Sequence, residues 1–229
     1  MSTSEHDGAG DLLIQEVDEE LRHEQYRELW KRYGHYVVGA VVGIVLVVAG
    51  YQGWQGWQTK LRQQEAAQFS AAQALAMSGK TAEAAEALAK LAADSQTGYG
   101  VVAQLNRAQL LAATGDAAGA LATYQQIVES KAPAEYRDLA VLKASLLALD
   151  NGDLSSLEPK LAGLTGADNP WRYSAIEVQA LIARKKGDTA QAVTLFKQLA
   201  DDPQAPRGLR TRATEMLAAL PATPDKPKG

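Results

Sequence analysis

The most prominent feature of the hydrophobic pattern is an uninterrupted apolar run, YVVGAVVGIVLVVAGY, at residues 36–51. No Asp, Glu, Lys or Arg occurs from Tyr33 to Thr59, and aromatic residues flank the run on both sides. A helix that is apolar all round offers no face to water, and Trp and Tyr are typical of the two interfaces of a bilayer. From Tyr33 to Trp54 such a helix extends about 33 Å, enough to cross the hydrocarbon core. We therefore predict one transmembrane helix at residues 36–57.

Three other interpretations compete with a membrane span. A buried core helix would need a large surrounding core on every side. A cleaved signal peptide would follow a short basic leader and end at an A-x-A-like site, whereas here 35 mostly polar residues come first and VAGYQGW has no such site. A re-entrant or interfacial segment would show a polar face. None of the three fits the pattern as well as a single uncleaved span.

The charges beside the span predict its orientation. Positively charged side chains near a span favour the cytoplasmic side, and acidic ones count little. Four basic residues precede the span closely and two follow it: Arg22, Arg27, Lys31 and Arg32 before, Lys60 and Arg62 after. We therefore expect a cytoplasmic N-terminus and a C-terminal domain, after about residue 58, on the far side of the membrane. The chain has no cysteine, which is compatible with either compartment.

Residues 1–35 form an acidic arm with nine Asp and Glu and four Lys and Arg. Leu13, Val17 and Leu21 recur at a spacing of four, which predicts an amphipathic helix running towards the membrane. The arm could dock a cytoplasmic partner, or it could simply anchor the span at the interface. Both interpretations remain open.

The region after the span, residues 58–220, repeats itself. Four glycines that end a helical pattern fall 36, 37 and 35 residues apart, and three of them are followed by Asp. Small residues recur seven positions before each glycine, and mostly apolar ones five, nine and twelve positions after it. The glycines are Gly79, Gly115, Gly152 and Gly187; the small residues are Ala72, Ala108, Ser145 and Ala180; the later positions are Ala84, Leu88, Leu91, Ala120, Tyr124, Ile127, Leu157, Leu161, Leu164, Ala192, Phe196 and Leu199. Such periodicity predicts stacked helix pairs.

The predicted fold is therefore all-α. We expect an N-terminal amphipathic helix, the transmembrane helix, and then a right-handed α-solenoid of about four degenerate helix pairs with a capping helix. The pairs are 61–78 with 81–93, 98–113 with 116–130, 133–149 with 153–164 and 170–186 with 188–201, followed by a last helix at 206–219. The first helix, 61–78, could continue directly from the span. Each glycine should end the first helix of its pair, where glycine tolerates a left-handed backbone, and residues 221–229 should be disordered.

The period and the positions of the small and apolar residues resemble tetratricopeptide repeats of a degenerate kind. In the third repeat, Leu157 and Leu161 replace the usual alanine and aromatic residue. The order of the segments is an acidic arm, one span and then degenerate tetratricopeptide-like repeats. This order resembles a bacterial inner-membrane family that includes the ancillary subunit of the SecYEG translocon. EVDEELRHEQYRELWKRYG (16–34) is similar to the N-terminal signature of its alphaproteobacterial members, and NPWRYSAIEVQALIARKKGD (169–188) is also similar. The resemblance implies a helper protein of the bacterial inner membrane whose C-terminal domain lies in the periplasm, associated with the Sec translocon and with periplasmic chaperones. It implies no catalytic residues.

Residue types argue against enzymatic chemistry after the span. All three histidines, His6, His23 and His35, precede it, so residues 58–229 contain neither His nor Cys. That composition removes most metal sites and nucleophile–base pairs. The near balance of 19 basic and 18 acidic residues there disfavours nucleic acid. We expect a non-enzymatic protein without cofactor or metal that binds other proteins. The alternatives are an envelope scaffold for division or outer-membrane assembly, or a carboxylate-based hydrolase.

Two groups of residues are candidate contacts. Gly39 and Gly43 form a G-x-x-x-G pattern that permits close helix packing in a membrane, although glycine is common in such helices. The second group could grip a partner with aromatic and arginine anchors; it consists of Trp171, Arg172, Tyr173, Arg207 and Arg210. In the other interpretation Trp171 fills the core and the arginines, with Arg212, are a solvated face.

Overall fold

The computed structural model describes residues 7–220 of the 229-residue chain, with side chains for Arg27 and from Leu29 onward except residue 151. Within that range the structure is all-helical and contains no strand. The nine helices are α1 (Asp7–Met77), α2 (Thr81–Asp94), α3 (Tyr99–Ala113), α4 (Ala117–Glu129), α5 (Ala134–Asn151), α6 (Glu158–Gly163), α7 (Arg172–Lys185), α8 (Thr189–Asp201) and α9 (Arg207–Ala219). The expected tail at 221–229 and the first six residues lie outside the described residues.

The chain divides into two compact units, Met1–Lys60 and Leu61–Gly229, and the division falls within α1. In the first unit the described apolar side chains from Val37 to Val48 are about half exposed or more. In the second unit the end of α1 forms the first helix of repeat one, so that this helix is continuous with the apolar segment before it. The domain boundaries 1–35, 36–57 and 58–220 stay predictions.

The repeat positions coincide with the core. All four small residues that precede the glycines are buried, as are all twelve positions that follow them. The largest of these side chains, Tyr124 and Phe196, occupy the same position in repeats two and four and are 3% and 1% exposed. Ser145 is the polar member of the small set, and its buried hydroxyl has no partner among the described atoms. The periodicity therefore predicted the buried face of each helix pair.

Three of the four repeat glycines end their helices as expected. Gly79, Gly115 and Gly187 have φ values of 81°, 90° and 81°. In each case the following backbone N–H reaches back to close the helix end; that of Asp188, for example, donates to the Ala183 carbonyl at 2.9 Å. This arrangement is a Schellman motif, which the left-handed glycine makes possible.

Gly152 ends its helix without the left-handed conformation of the other three repeat glycines. Its φ is −131° and its ψ is 170°, an extended backbone that any residue adopts. Glycine is required there for a different reason, since a Cβ would lie 2.8 Å from the Cβ of Ala148 and 3.4 Å from the Leu121 side chain. The third turn thus uses glycine for close approach.

The aspartates that follow the glycines explain a second difference. Asp116 and Asp188 cap α4 and α8, each accepting a hydrogen bond at 2.9 Å from a backbone N–H three residues on. Asp153 instead accepts from the backbone N–H and hydroxyl of Ser155, at 2.8 and 2.7 Å. This local turn delays the helix, so α6 has only six residues, Glu158–Gly163, rather than the predicted 153–164.

The core of the second unit consists of three clusters that follow one another along the stack. The N-terminal cluster joins α1 to α2 and α3, the central cluster runs from α3 to α7, and the C-terminal cluster joins α7 to α8 and α9. Most contacts between helices join consecutive ones. Each repeat therefore depends mainly on its neighbours, as in a solenoid.

Candidate interaction surfaces

A buried carboxylate fixes the loop between α2 and α3. Glu65, on α1, is 5% exposed. Its carboxylate accepts hydrogen bonds from the Ser95 hydroxyl at 2.7 Å, from the Gln96 backbone N–H at 3.0 Å and from the Thr97 hydroxyl. Because a buried charge must be compensated, these donors are needed for Glu65 to be tolerated.

The same donors set the ionisation of Glu65. Burial alone would raise the pKa of this carboxyl, but the hydrogen bonds from Thr97, Ser95 and Gln96 favour the charged form and bring the pKa below its ordinary value. The loop at residues 95–97 is thus held to α1 by an ionised side chain. Sequence reasoning missed Glu65 because its partners lie about thirty residues away.

Trp171 packs against the core of the repeat domain. Its ring is partly buried against the central cluster, and its indole N–H donates to the Glu135 carbonyl oxygen at 3.0 Å. The Asn169 side chain accepts a hydrogen bond from the Trp171 backbone N–H at 2.8 Å and donates one to the Asp138 carboxylate at 2.9 Å. These contacts tie the start of α7 to the start of α5.

Arg172 and Tyr173 lie together but face a different cluster from Trp171. The Arg172 guanidinium is 4.9 Å from the centre of the Tyr173 ring and 3.6 Å from the Asp202 carboxylate. Tyr173 packs against the C-terminal cluster. Burial, and then the neighbouring Asp202 carboxylate, raise the pKa of Tyr173. The three consecutive residues are therefore not a single exposed patch.

The arginines of α9 differ in their surroundings. Arg207 is exposed and Arg210 is half-buried. Arg212 donates two hydrogen bonds to the Glu177 carboxylate on α7, at 2.7 and 3.0 Å, which joins the last helix to the fourth repeat. The predicted role of Arg207 and Arg210 in partner binding stays a prediction.

A groove runs beside α7, between α6 and α8. One part, of about 190 Å³, lies between Glu158 on α6 and Lys186 at the end of α7, whose charged groups are 2.7 Å apart. A second part, of about 400 Å³, lies between Arg172 and Gln198. Gln179 lines both parts.

The first unit carries the predicted membrane segment. By length and composition, the stretch Leu29–Met77 of α1 is the one described helix able to cross a membrane. A Cβ added to Gly39 or Gly43 would meet nothing within 4 Å, so both leave an open notch on the helix surface. In the described part of the chain, no three His, Cys, Asp or Glu side chains cluster as a metal site would require.

Comparisons with known proteins agree with this architecture. Residues 27–216 match the profile of the tetratricopeptide repeat-like domain family. Among solved structures, the nearly identical TPR-like repeats assigned to a kinesin light chain of Podospora anserina are similar with a TM-score of 0.52 and 19% identity. That likeness covers 67% of this chain and 82% of the other, and at such identity it concerns the fold alone. Among proteins of curated function no significant match was found.

Proposed function

Because the chain belongs to the tetratricopeptide repeat-like domain family, whose members are typically non-enzymatic scaffolds for protein interaction, we propose that it is a membrane-tethered binding protein for secreted chains. The N-terminus would lie in the cytoplasm, the apolar part of α1 would cross the bacterial inner membrane, and the repeats would lie in the periplasm. The domain would bind proteins at or near the Sec translocon, and periplasmic chaperones, and assist secreted proteins there. The alternative is an envelope scaffold for division or outer-membrane assembly that handles no clients.

One observation supports the proposal above the others: a stack of helix pairs and an exposed apolar helix of spanning length occur in the same chain. A stack of repeats offers a continuous surface for an extended partner. A tether beside the translocon would raise the effective concentration of emerging chains at that surface. The order of the segments therefore supports a role at the site where secreted proteins cross.

Photo-crosslinking in intact membranes tests this proposal. A photoreactive residue would replace Gln198, which is exposed and lines the groove beside α7. In a matched control it would replace Glu86, which is exposed on α2. We expect adducts with translocon subunits and nascent secreted chains, and more of them at position 198 than at position 86.

The outcomes separate the candidate functions. Adducts with division or outer-membrane assembly proteins, without nascent chains, would favour the envelope scaffold. Equal adducts at both positions would leave binding without a preferred face. Absence of any protein adduct would contradict both candidates.

A further inference from the structure

A small cavity in the second unit has a lining that suits an interfacial ligand. Its volume is about 170 Å³, and it is lined by Arg62, Thr97, Gly98, Tyr99, Val102 and Tyr136. Arg62 is exposed, whereas Tyr99, Val102 and Tyr136 are half-buried. The cavity thus combines one accessible cation with two amphipathic rings and an aliphatic wall.

The wall of this cavity is built in advance. Thr97 belongs to the loop that the buried Glu65 carboxylate holds against α1. The ring of Tyr99 also lies 6.0 Å from that of Phe69, which packs on the N-terminal cluster. Binding here would therefore need little reorganisation of the protein, which lowers the entropic cost of association.

The position of Arg62 in the chain limits where the cavity can be. Arg62 follows Trp57, the last residue of the predicted span, by five residues. Even a fully extended chain covers only about 18 Å in five residues. If the span is inserted as proposed, the cavity lies at or close to the outer surface of the bilayer, whatever the arrangement of the two units.

We infer that this cavity binds the headgroup of an anionic membrane phospholipid, with its phosphate on Arg62 and its glycerol and first acyl carbons against Tyr99 and Tyr136. The planar guanidinium matches phosphate oxygens, and tyrosine suits a site that is apolar at one end and wet at the other. The volume is below the roughly 300 Å³ at which sites for drug-sized ligands begin, so it fits a headgroup and not a protein segment. This inference rests on the membrane insertion in the proposed function.

Lipid retention provides the test. The full chain would be incorporated in nanodiscs of phosphatidylglycerol and phosphatidylethanolamine and re-extracted in mild detergent. Mass spectrometry would then count each lipid retained per chain. Arg62→Gln should lower the retained ratio of phosphatidylglycerol to phosphatidylethanolamine about fivefold, the factor for one basic side chain at an anionic surface. Arg62→Lys should give an intermediate ratio, because it keeps the charge but loses the planar guanidinium.

Arg207→Gln is the matched control, because Arg207 is also an exposed arginine but does not line the cavity. An unchanged ratio in Arg62→Gln, or an equal fall in Arg207→Gln, would overturn the inference. So would displacement of the lipid from the wild type by inorganic phosphate at equal ionic strength, since a free phosphate compound would then be the ligand. A chain that fails to enter nanodiscs at all would instead contradict the proposed membrane insertion.

Discussion

At the scale of single residues, Glu65 is the side chain on which the first repeat depends most clearly. Its carboxylate accepts hydrogen bonds from residues 95–97, and these bonds take the place of the hydrogen bonds to water that the carboxylate loses on burial. A substitution there removes several hydrogen bonds at once and frees the loop at residues 95–97 from α1. We therefore expect Glu65 to be far more sensitive than its neighbours in the sequence.

Glu65→Gln should destabilise the repeat domain by about 2 kcal/mol, because hydrogen bonds to a charged group are lost and the amide N–H₂ faces existing donors. Thermal unfolding of the full chain in mild detergent, followed by circular dichroism, would measure the change. Glu86→Gln removes the same charge from an exposed position on α2 and should change stability by less than about 0.5 kcal/mol. Equal effects of the two variants would contradict the structural role of Glu65.

The pKa of Glu65 adds a pH dependence with a definite sign. Since the folded pKa is below the ordinary value, the charged form contributes stability that is fully present above the unfolded pKa, about 4.3. That contribution is lost as the pH falls through the folded pKa. The stability difference between wild type and Glu65→Gln should therefore be largest near pH 7 and shrink below about pH 4. A difference that stays constant down to pH 3 would argue against an ionised Glu65.

The two kinds of repeat glycine should respond in opposite ways to asparagine. Gly187 has φ 81° and open space around a Cβ, so Gly187→Ala should cost about 1 kcal/mol and Gly187→Asn less, because asparagine tolerates the left-handed region. Gly152 has an ordinary φ but no room, so Gly152→Asn should cost at least as much as Gly152→Ala. Urea unfolding of the four variants would measure both orders, and the same order at both sites would contradict this distinction.

What the sequence could predict at this scale depended on periodicity. Tyr124 and Phe196 were recognised as core because they occupy equivalent positions in two repeats, and both are buried. Periodicity did not predict the contacts of Glu65, Gly152 and Trp171. These contacts join residues that have no fixed spacing in the sequence. Trp171, for example, bonds to a carbonyl 36 residues earlier.

At the scale of helices, α6 is the exception in the stack. It has six residues, whereas α4 and α8 have thirteen each. Short helices depend almost wholly on packing, since an isolated helix of this length is unstable in water. The cause is the aspartate of the third repeat, Asp153, whose carboxylate accepts hydrogen bonds from the hydroxyl and backbone N–H of Ser155, two residues later.

Amide hydrogen exchange should therefore be faster in α6 than in α8. Both helices belong to the second half of the domain, which makes α8 an internal reference. Exchange in the full chain, measured by mass spectrometry on peptides covering 158–163 and 189–201, should show α6 opening at a lower free energy. Equal protection would mean that the third repeat is as cooperative as the fourth.

At the scale of the whole molecule, the proposed topology is directly testable because the chain has no cysteine. Lys197→Cys, at an exposed position on α8, should react with a membrane-impermeant maleimide applied to cells with a permeable outer membrane. Glu5→Cys should react only after the inner membrane is disrupted. The reverse pattern would invert the orientation, and extraction of the chain by alkaline carbonate would contradict the span.

The consecutive packing of the helices also bears on how such a domain acquires its structure. Contacts between neighbours in sequence give a low contact order, which favours fast folding, and the units of a repeat stack fold one upon another. In the proposed orientation the repeats would cross the membrane after the anchor, with the pair nearest the anchor emerging first. Each helix pair could then close onto the previous one while later pairs were still in transit. The domain would be assembled vectorially, without waiting for its C-terminus.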